Sequence, residues 1–154
     1  MLSVGVSFEQ LVGEIAPRLR AALVAAYGVE EGSDAAADAI AWAWEHRDRV
    51  VSLTNPAGYL YRVGQTAARR DRRTHRWLPE APAVELPDVE SALFDALDEL
   101  SEQQRVCVLL VHALGWRQVE VADLLGVTPS TVAAHQRLGL ARLRRSLEVS
   151  LDEV

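Results

Sequence analysis

Apolar residues recur at helical spacing along most of this chain, and capping residues, glycines and prolines punctuate them. Phe8, Leu11, Val12, Ile15, Leu19, Leu23 and Ala26 mark a first helix. Ser7 with Gln10 three residues on is a capping box in front of it. Pro17 lacks an amide donor and clashes with the preceding turn, so it predicts a kink or a restart there. Gly28 is a natural stop. A second helix is expected from about Ser33-Asp34 through Ile40, Trp42 and Trp44 to about Val50. Asn55-Pro56 opens a third, an Asn cap with Pro where the missing amide is harmless. It carries Tyr59, Leu60, Val63 and Ala67 and ends in Arg69-Arg70-Asp71-Arg72-Arg73.

Pro79, Pro82 and Pro87 then make an extended linker. A short helix is expected over Ser91–Leu100. A second capping box, Ser101-Glu102-Gln103-Gln104, starts a helix with Val106, Leu109, Leu110 and Ala113, which Gly115 ends. Another short helix spans about Val119–Leu125 and stops at Gly126. Thr128-Pro129 opens the last, to about Leu147. No segment alternates with period two, so the expected fold class is all-α. Two small helical domains, 1–76 and 91–154, are joined by a Pro-rich acidic linker over 77–90, and the C-terminal domain holds a helix-turn-helix.

Composition changes this picture in one respect. The chain has 154 residues and a net charge of −6, with 49% hydrophobic and 25% charged residues. That is ordinary for a globular protein and about one domain's length, or two small ones. Read whole, the acidic balance argues against nucleic acid as a partner. Read by segment, it does not. All 16 basic residues are arginine. Residues 62–76 carry 6 arginines and 1 acid, and residues 103–147 carry 6 arginines and 2 acids. Between them, residues 77–102 carry 8 acids and no arginine. Two basic blocks are separated by an acidic one.

The window Gln118–Arg137 is the most informative. Two helices meet at a tight Gly126-Val127-Thr128 turn, with small Ala122 at their crossing and Val121, Leu125, Val127 and Val132 as the expected shared core. Such a hairpin places the N-terminal end of its second helix in the DNA major groove. Candidate DNA-facing residues are Gln118, Thr128, Ser130, Thr131, Ala133, Ala134, His135 and Arg137, with Arg142 near phosphates. This face is plain, with two alanines and no arginine before position 137, whereas direct readout mostly uses Arg, Lys, Asn or Gln. Gln136 falls where spacing from Val132 predicts an apolar residue, and is expected to be half-buried or to mark a loosened domain.

Other chemistry is not indicated. His46, His75, His112 and His135 are scattered, and with the single Cys107 they make no zinc spacing. His112 and Cys107 are expected in core or half-buried positions. One cysteine excludes a disulfide framework and suggests a reducing compartment. No phosphate loop or catalytic triad motif is present, so no enzyme, cofactor or metal is expected. No apolar run approaches the roughly 18–20 residues of a membrane span, and the start lacks a signal-peptide pattern. The expected location is cytoplasmic, with no membrane insertion.

Taken together, certain segments resemble a known family. Leu100–Val106, Gly115-Trp116, Val119–Val127, Ser130-Thr131-Val132 and Leu140–Arg144 resemble region four of the extracytoplasmic-function (ECF) sigma factors of bacterial RNA polymerase. Asp34–Asp38, Ala43-Trp44 and Asn55–Gly64 running into arginines resemble region two. The resemblance implies a non-enzymatic initiation factor. Region two would bind the β′ clamp helices of core polymerase, through Asp34 and Asp38, and open the minus-ten promoter element. Region four would bind the β flap and read the minus-thirty-five element. It also implies an anti-sigma factor as partner. The minus-ten candidates are Tyr59, Tyr61, Arg62, Gln65, Thr66, Arg69, Arg70, Arg72 and Arg73: arginines for phosphates, and rings, with Trp77, for unpaired bases. Tyr59 and Tyr61 are two apart on a helix, so at least one is expected in the core. Trp44 matches a core tryptophan of the family. Trp42 is expected either under the first helix or on a partner surface. The sequence departs from the family at Ala37 (usually Gln), Thr66 (often Asn), and Ala133 and Leu138 (often basic). The alternatives are a helix-turn-helix regulator acting without polymerase and a sigma-like protein that opens promoters weakly.

Overall fold

Several helices begin where the sequence offers a side chain to the free amides of their first turn. The computed structural model describes residues 5–70 and 88–152. The Ser7 hydroxyl accepts from the Gln10 amide at 3.2 Å, and the Gln10 side chain accepts from the Ser7 amide at 3.3 Å. Behind this box runs α1, Phe8–Tyr27. It is one helix: Pro17 neither ends nor restarts it. Pro17 faces solvent with exposed Gly13 one turn earlier, so water can serve the carbonyl that the missing amide leaves free.

Gly28, at φ 92°, turns the chain, and α2, Val29–Glu45, starts at once rather than near Ser33. α2 also ends before Val50. His46 leaves helical geometry at φ −123° and ψ 37°, its Nδ1 bonds the Trp42 carbonyl at 2.9 Å, and its ring stacks on Trp42 at 4.2 Å. A separate short helix, α3, Arg47–Ser52, follows. The Asn55 carboxamide oxygen then accepts from the Gly58 amide at 3.0 Å and opens α4, Pro56–Arg70, as expected.

In the second half, α5 spans Asp88–Glu99, three residues ahead of the expected start. Ser101 and Gln104 form the second capping box, and α6, Glu102–Val108, passes into a π-helical turn, Leu109–Ala113. Gly115, at φ 72°, closes it. Then come α7, Gln118–Leu125, and α8, Pro129–Asp152, the latter longer than the spacing predicted. No strand occurs among the described residues, so the fold is all-α. The linker up to residue 87 lies outside the described residues.

The largest buried group joins both halves. Leu19 and Leu23 of α1 and Leu60 of α4 share one apolar cluster with Val106, Cys107 and Leu110, and with Val121 and Val132. A smaller cluster of Ala96, Leu97, Leu100, Val108 and Leu143 pins α5 to α6 and α8. Two expectations about tryptophan change. Trp44, taken for a core residue, is 44% exposed and touches Phe8 edge-to-face at 4.8 Å. Trp42, two residues earlier and on another side of the helix, is half-buried against Tyr59 of α4, centroids 5.3 Å apart. His112 is exposed rather than core. Cys107 is fully buried, and burial pushes its thiol up to about 11, leaving it a packing residue without thiolate chemistry.

Candidate nucleic-acid interface

Three surfaces carry the candidate residues. On α2, Asp34 and Asp38 are exposed one turn apart, with exposed Ala37 between them. They form an open acidic face.

The second surface is α4. Arg62, Thr66, Arg69 and Arg70 are exposed, and Gln65 and Tyr59 half-buried. Tyr59 sits between Trp42 and the Arg49 guanidinium, which lies 5.3 Å from its ring centroid. The Thr66 hydroxyl donates back to the Arg62 carbonyl at 3.0 Å, a local bond that ties up its only proton. Tyr61 does not meet the expectation of a base-stacking ring: it is 1% exposed. Burial raises its pKa well above the usual phenol value, with Tyr27 and Glu102 adding to the effect. Of the two tyrosines, it is Tyr61 that packs inside. Arg72, Arg73 and Trp77 lie outside the described residues.

The third surface is the hairpin of α7 and α8. Gly126 adopts the left-handed conformation at φ 69° and ψ 35°, where a Cβ is strained. The Thr128 hydroxyl accepts from the Thr131 amide at 3.2 Å and bonds the Ser130 and Thr131 hydroxyls. Val121 and Val132 are buried at the helix crossing as expected, together with Ala122 and Leu124. Leu125 and Val127 are only half-buried, because α7 turns Leu124 inward instead. Gln118, Thr128, Ser130, Arg137 and Arg142 are exposed, and Thr131, Ala133, Ala134 and His135 half-buried. Arg142 donates to the Gln104 side chain at 3.3 Å.

Gln136 is buried, at 6% exposure, and each polar atom of its amide has a partner. Its Oε1 accepts from Gln118 at 2.8 Å, and its Nε2 contacts His112 Nε2 at 3.1 Å. The domain is therefore not loosened there: a polar relay fills the apolar register. Both outer members are exposed and can turn to water. Gln136→Leu is thus expected to change stability by less than about 1 kcal/mol, measured as the thermal midpoint. A loss of several times that would show that the relay is structurally required.

The halves meet along a polar seam that the sequence does not announce. Glu102 Oε1 accepts from the Tyr27 hydroxyl at 2.7 Å, from Gln65 Nε2 at 3.1 Å and from Arg69 Nη2 at 3.2 Å. The Asn55 side chain donates to the Asp123 carbonyl at 2.7 Å. Arg18 pairs with Glu120 at 2.8 Å and lies 4.4 Å over the Trp116 ring centroid. Arg117, at 2.6 Å, holds the other oxygen of Glu120. Hydrogen bonds from these two arginines hold the Glu120 carboxyl below the usual carboxylate range.

The hairpin lies inside a segment, residues 90–143, that matches the family model described as "Sigma-70, region 4". Over 133 residues the chain is 24% identical to the ECF RNA polymerase sigma factor SigL of Mycobacterium tuberculosis, covering 77% of this chain and 75% of the relative. The matching model covers the C-terminal part of the chain, and the relative is an ECF sigma factor to which the chain is similar over most of its length. A solved structure of the sigma factor RpoE of Bartonella quintana, in complex with the anti-sigma factor NepR, shares the fold of this chain. The TM-score is 0.59 at 22% identity, over 92% of this chain and 97% of that one.

The seam residues Arg18, Tyr27, Glu102, Trp116 and Glu120 were not candidates. Glu102 stood out only as part of a capping box, and Arg18 not at all. No helix among the described residues is long and apolar enough to cross a membrane.

Proposed function

We propose that this chain is a sigma factor that divides promoter work between its two halves. The acidic face at Asp34 and Asp38 docks on the clamp helices of core polymerase. Arg62, Arg69 and Arg70 of α4, with Arg72 and Arg73 next in the sequence, hold the phosphates of the opened minus-ten strand, and Tyr59 offers a ring to an unpaired base. The N-terminal end of α8, with Ser130, Thr131, His135 and Arg137, enters the major groove at the minus-thirty-five element. The same half also meets the polymerase flap. These are binding events, without bond-making by this chain, and they belong to the cytoplasm. An anti-sigma factor, of the kind that NepR is for the Bartonella protein, is the expected regulator.

The observation that carries this reading is the capped α7–α8 hairpin in the matching segment, behind a helical half that ends in arginines. With Ala133 and Ala134 half-buried on α8, base readout falls to hydroxyls, His135, Arg137 and DNA shape. In vitro transcription with core polymerase and a library of promoter fragments tests it. The expected result is a chain-dependent set of transcripts from a limited promoter class. Absence of core binding would sink the proposal. Core binding without open complexes would favour a sigma-like protein that opens promoters weakly.

A further inference from the structure

Glu102 places one carboxylate oxygen among three donors on the other half of the chain: Tyr27, Gln65 and Arg69. Two of the three lie on the face of α4 assigned above to the minus-ten strand. A carboxylate oxygen that collects an arginine, an amide and a hydroxyl meets the same kinds of donor that a DNA phosphate oxygen accepts from. The rest of that face is covered too. A Cβ built on Gly126 would stand 2.7 Å from an Arg62 guanidinium nitrogen, so the hairpin turn lies against Arg62. Tyr61 is sealed within the apolar cluster shared by both halves. The Arg18–Glu120 pair and the Asn55–Asp123 bond clamp α1 and α4 to α7 further along the seam.

We propose that this closed arrangement is an autoinhibited state, in which Glu102 acts as an internal phosphate mimic on α4. The inference rests on the reading of α4 as the minus-ten face. DNA then competes with the chain's own carboxylate, and the apparent dissociation constant is the intrinsic one divided by the open fraction. Glu102 also lies beside buried Arg105, whose charge burial disfavours and whose acidic neighbours Asp98 and Glu102 support it. The closed seam thus uses Glu102 on both sides.

The test uses the full chain, a short fluorescent single-stranded oligonucleotide read by anisotropy, and small-angle scattering for dimensions. Glu102→Gln keeps the shape of the side chain and removes its charge. It is expected to bind the oligonucleotide about tenfold more tightly and to have a larger radius of gyration. Arg18→Glu breaks the seam without touching α4 or α6, and should act in the same direction. Closing the seam again, by bridging Arg18→Cys and Glu120→Cys with a bismaleimide in the Glu102→Gln chain, should reverse the gain. Cys107 lies in the cluster that opening would uncover, so it is replaced by Ala throughout this series. If Glu102→Gln and Arg18→Glu change neither dimensions nor affinity while Arg70→Ala weakens binding, the latch is wrong and the DNA face stands. If Arg70→Ala has no effect and opening brings no gain in affinity, the DNA face and the latch fall together.

Discussion

Gly32→Ala is expected to destabilise the protein by about 2–3 kcal/mol, the range of overpacking a filled interior. Gly32 is where α2 crosses α1. A Cβ built there would stand 2.5 Å from the Leu23 carbonyl oxygen and 2.5 Å from the Val24 Cα. Both obstacles are backbone, so no side chain can swing aside, and the two helices must separate. Their separation loosens Leu19, Leu23, Ala35 and Ala39 together, all of which are almost fully buried. Two other glycines give the scale its internal control. At Gly64 the nearest atom is a Leu23 methyl at 2.5 Å, the end of a side chain that can shift, so an alanine there should cost less. At Gly13, in the exposed part of α1, nothing lies within 4 Å. Gly13→Ala should therefore stabilise by about 0.5–1 kcal/mol through helix propensity alone. Urea unfolding of the three variants measures the series. An order other than Gly32, Gly64, Gly13 from worst to best would contradict the close approach of α1 and α2.

What could be seen in the sequence was mostly local. Ser7, Asn55, Ser101 and Thr128 cap helices because a side chain reaches an amide three residues away, and that relation is written in consecutive residues. Gly126 and the small Ala122 are legible for the same reason. The misses involve partners that sequence spacing does not encode. Pro17 sits in an unbroken helix because its face happens to meet water. α2 begins at Val29 because Gly28 reverses the chain in one residue and Gly32 lets α1 approach. Trp42 is covered by α4 rather than by the first helix, and Trp44 is exposed rather than core, because α4 brings Tyr59 to one side of α2 only. The π-helical turn at Leu109–Ala113 has no signature in apolar spacing. Of the candidate site, the exposed acidic pair on α2 and the exposed arginines of α4 stand where spacing put them, while Tyr61 does not. The seam was invisible. Arg18 and Glu120 are 102 residues apart, and nothing periodic connects them.

The arginine block offers the second large effect. Replacing Arg69, Arg70, Arg72 and Arg73 by Ala together is expected to lower promoter opening by about a hundredfold or more while core binding stays intact. If each holds one phosphate of a single strand, the slope of log affinity against log salt should flatten by about 0.7 per residue removed, or about 3 in all. The slope is the more discriminating readout, because a variant that merely folds less well loses affinity without changing it. The single variants should not be equal. Arg70 is exposed and no salt bridge involves it among the described residues. Arg69 is held at 3.2 Å by Glu102, whose charge also raises the Arg69 pKa. On the proposed reading, Arg70→Ala would remove a DNA contact alone, whereas Arg69→Ala would remove a DNA contact and part of the closed seam. The two consequences for Arg69 oppose one another, so its net loss of affinity should be smaller than that of Arg70, with a similar change in salt slope. In a Glu102→Gln background the two single variants should become equivalent. Unequal losses there, or equal losses in the parent chain, would separate the DNA role of this block from its role in holding the halves together.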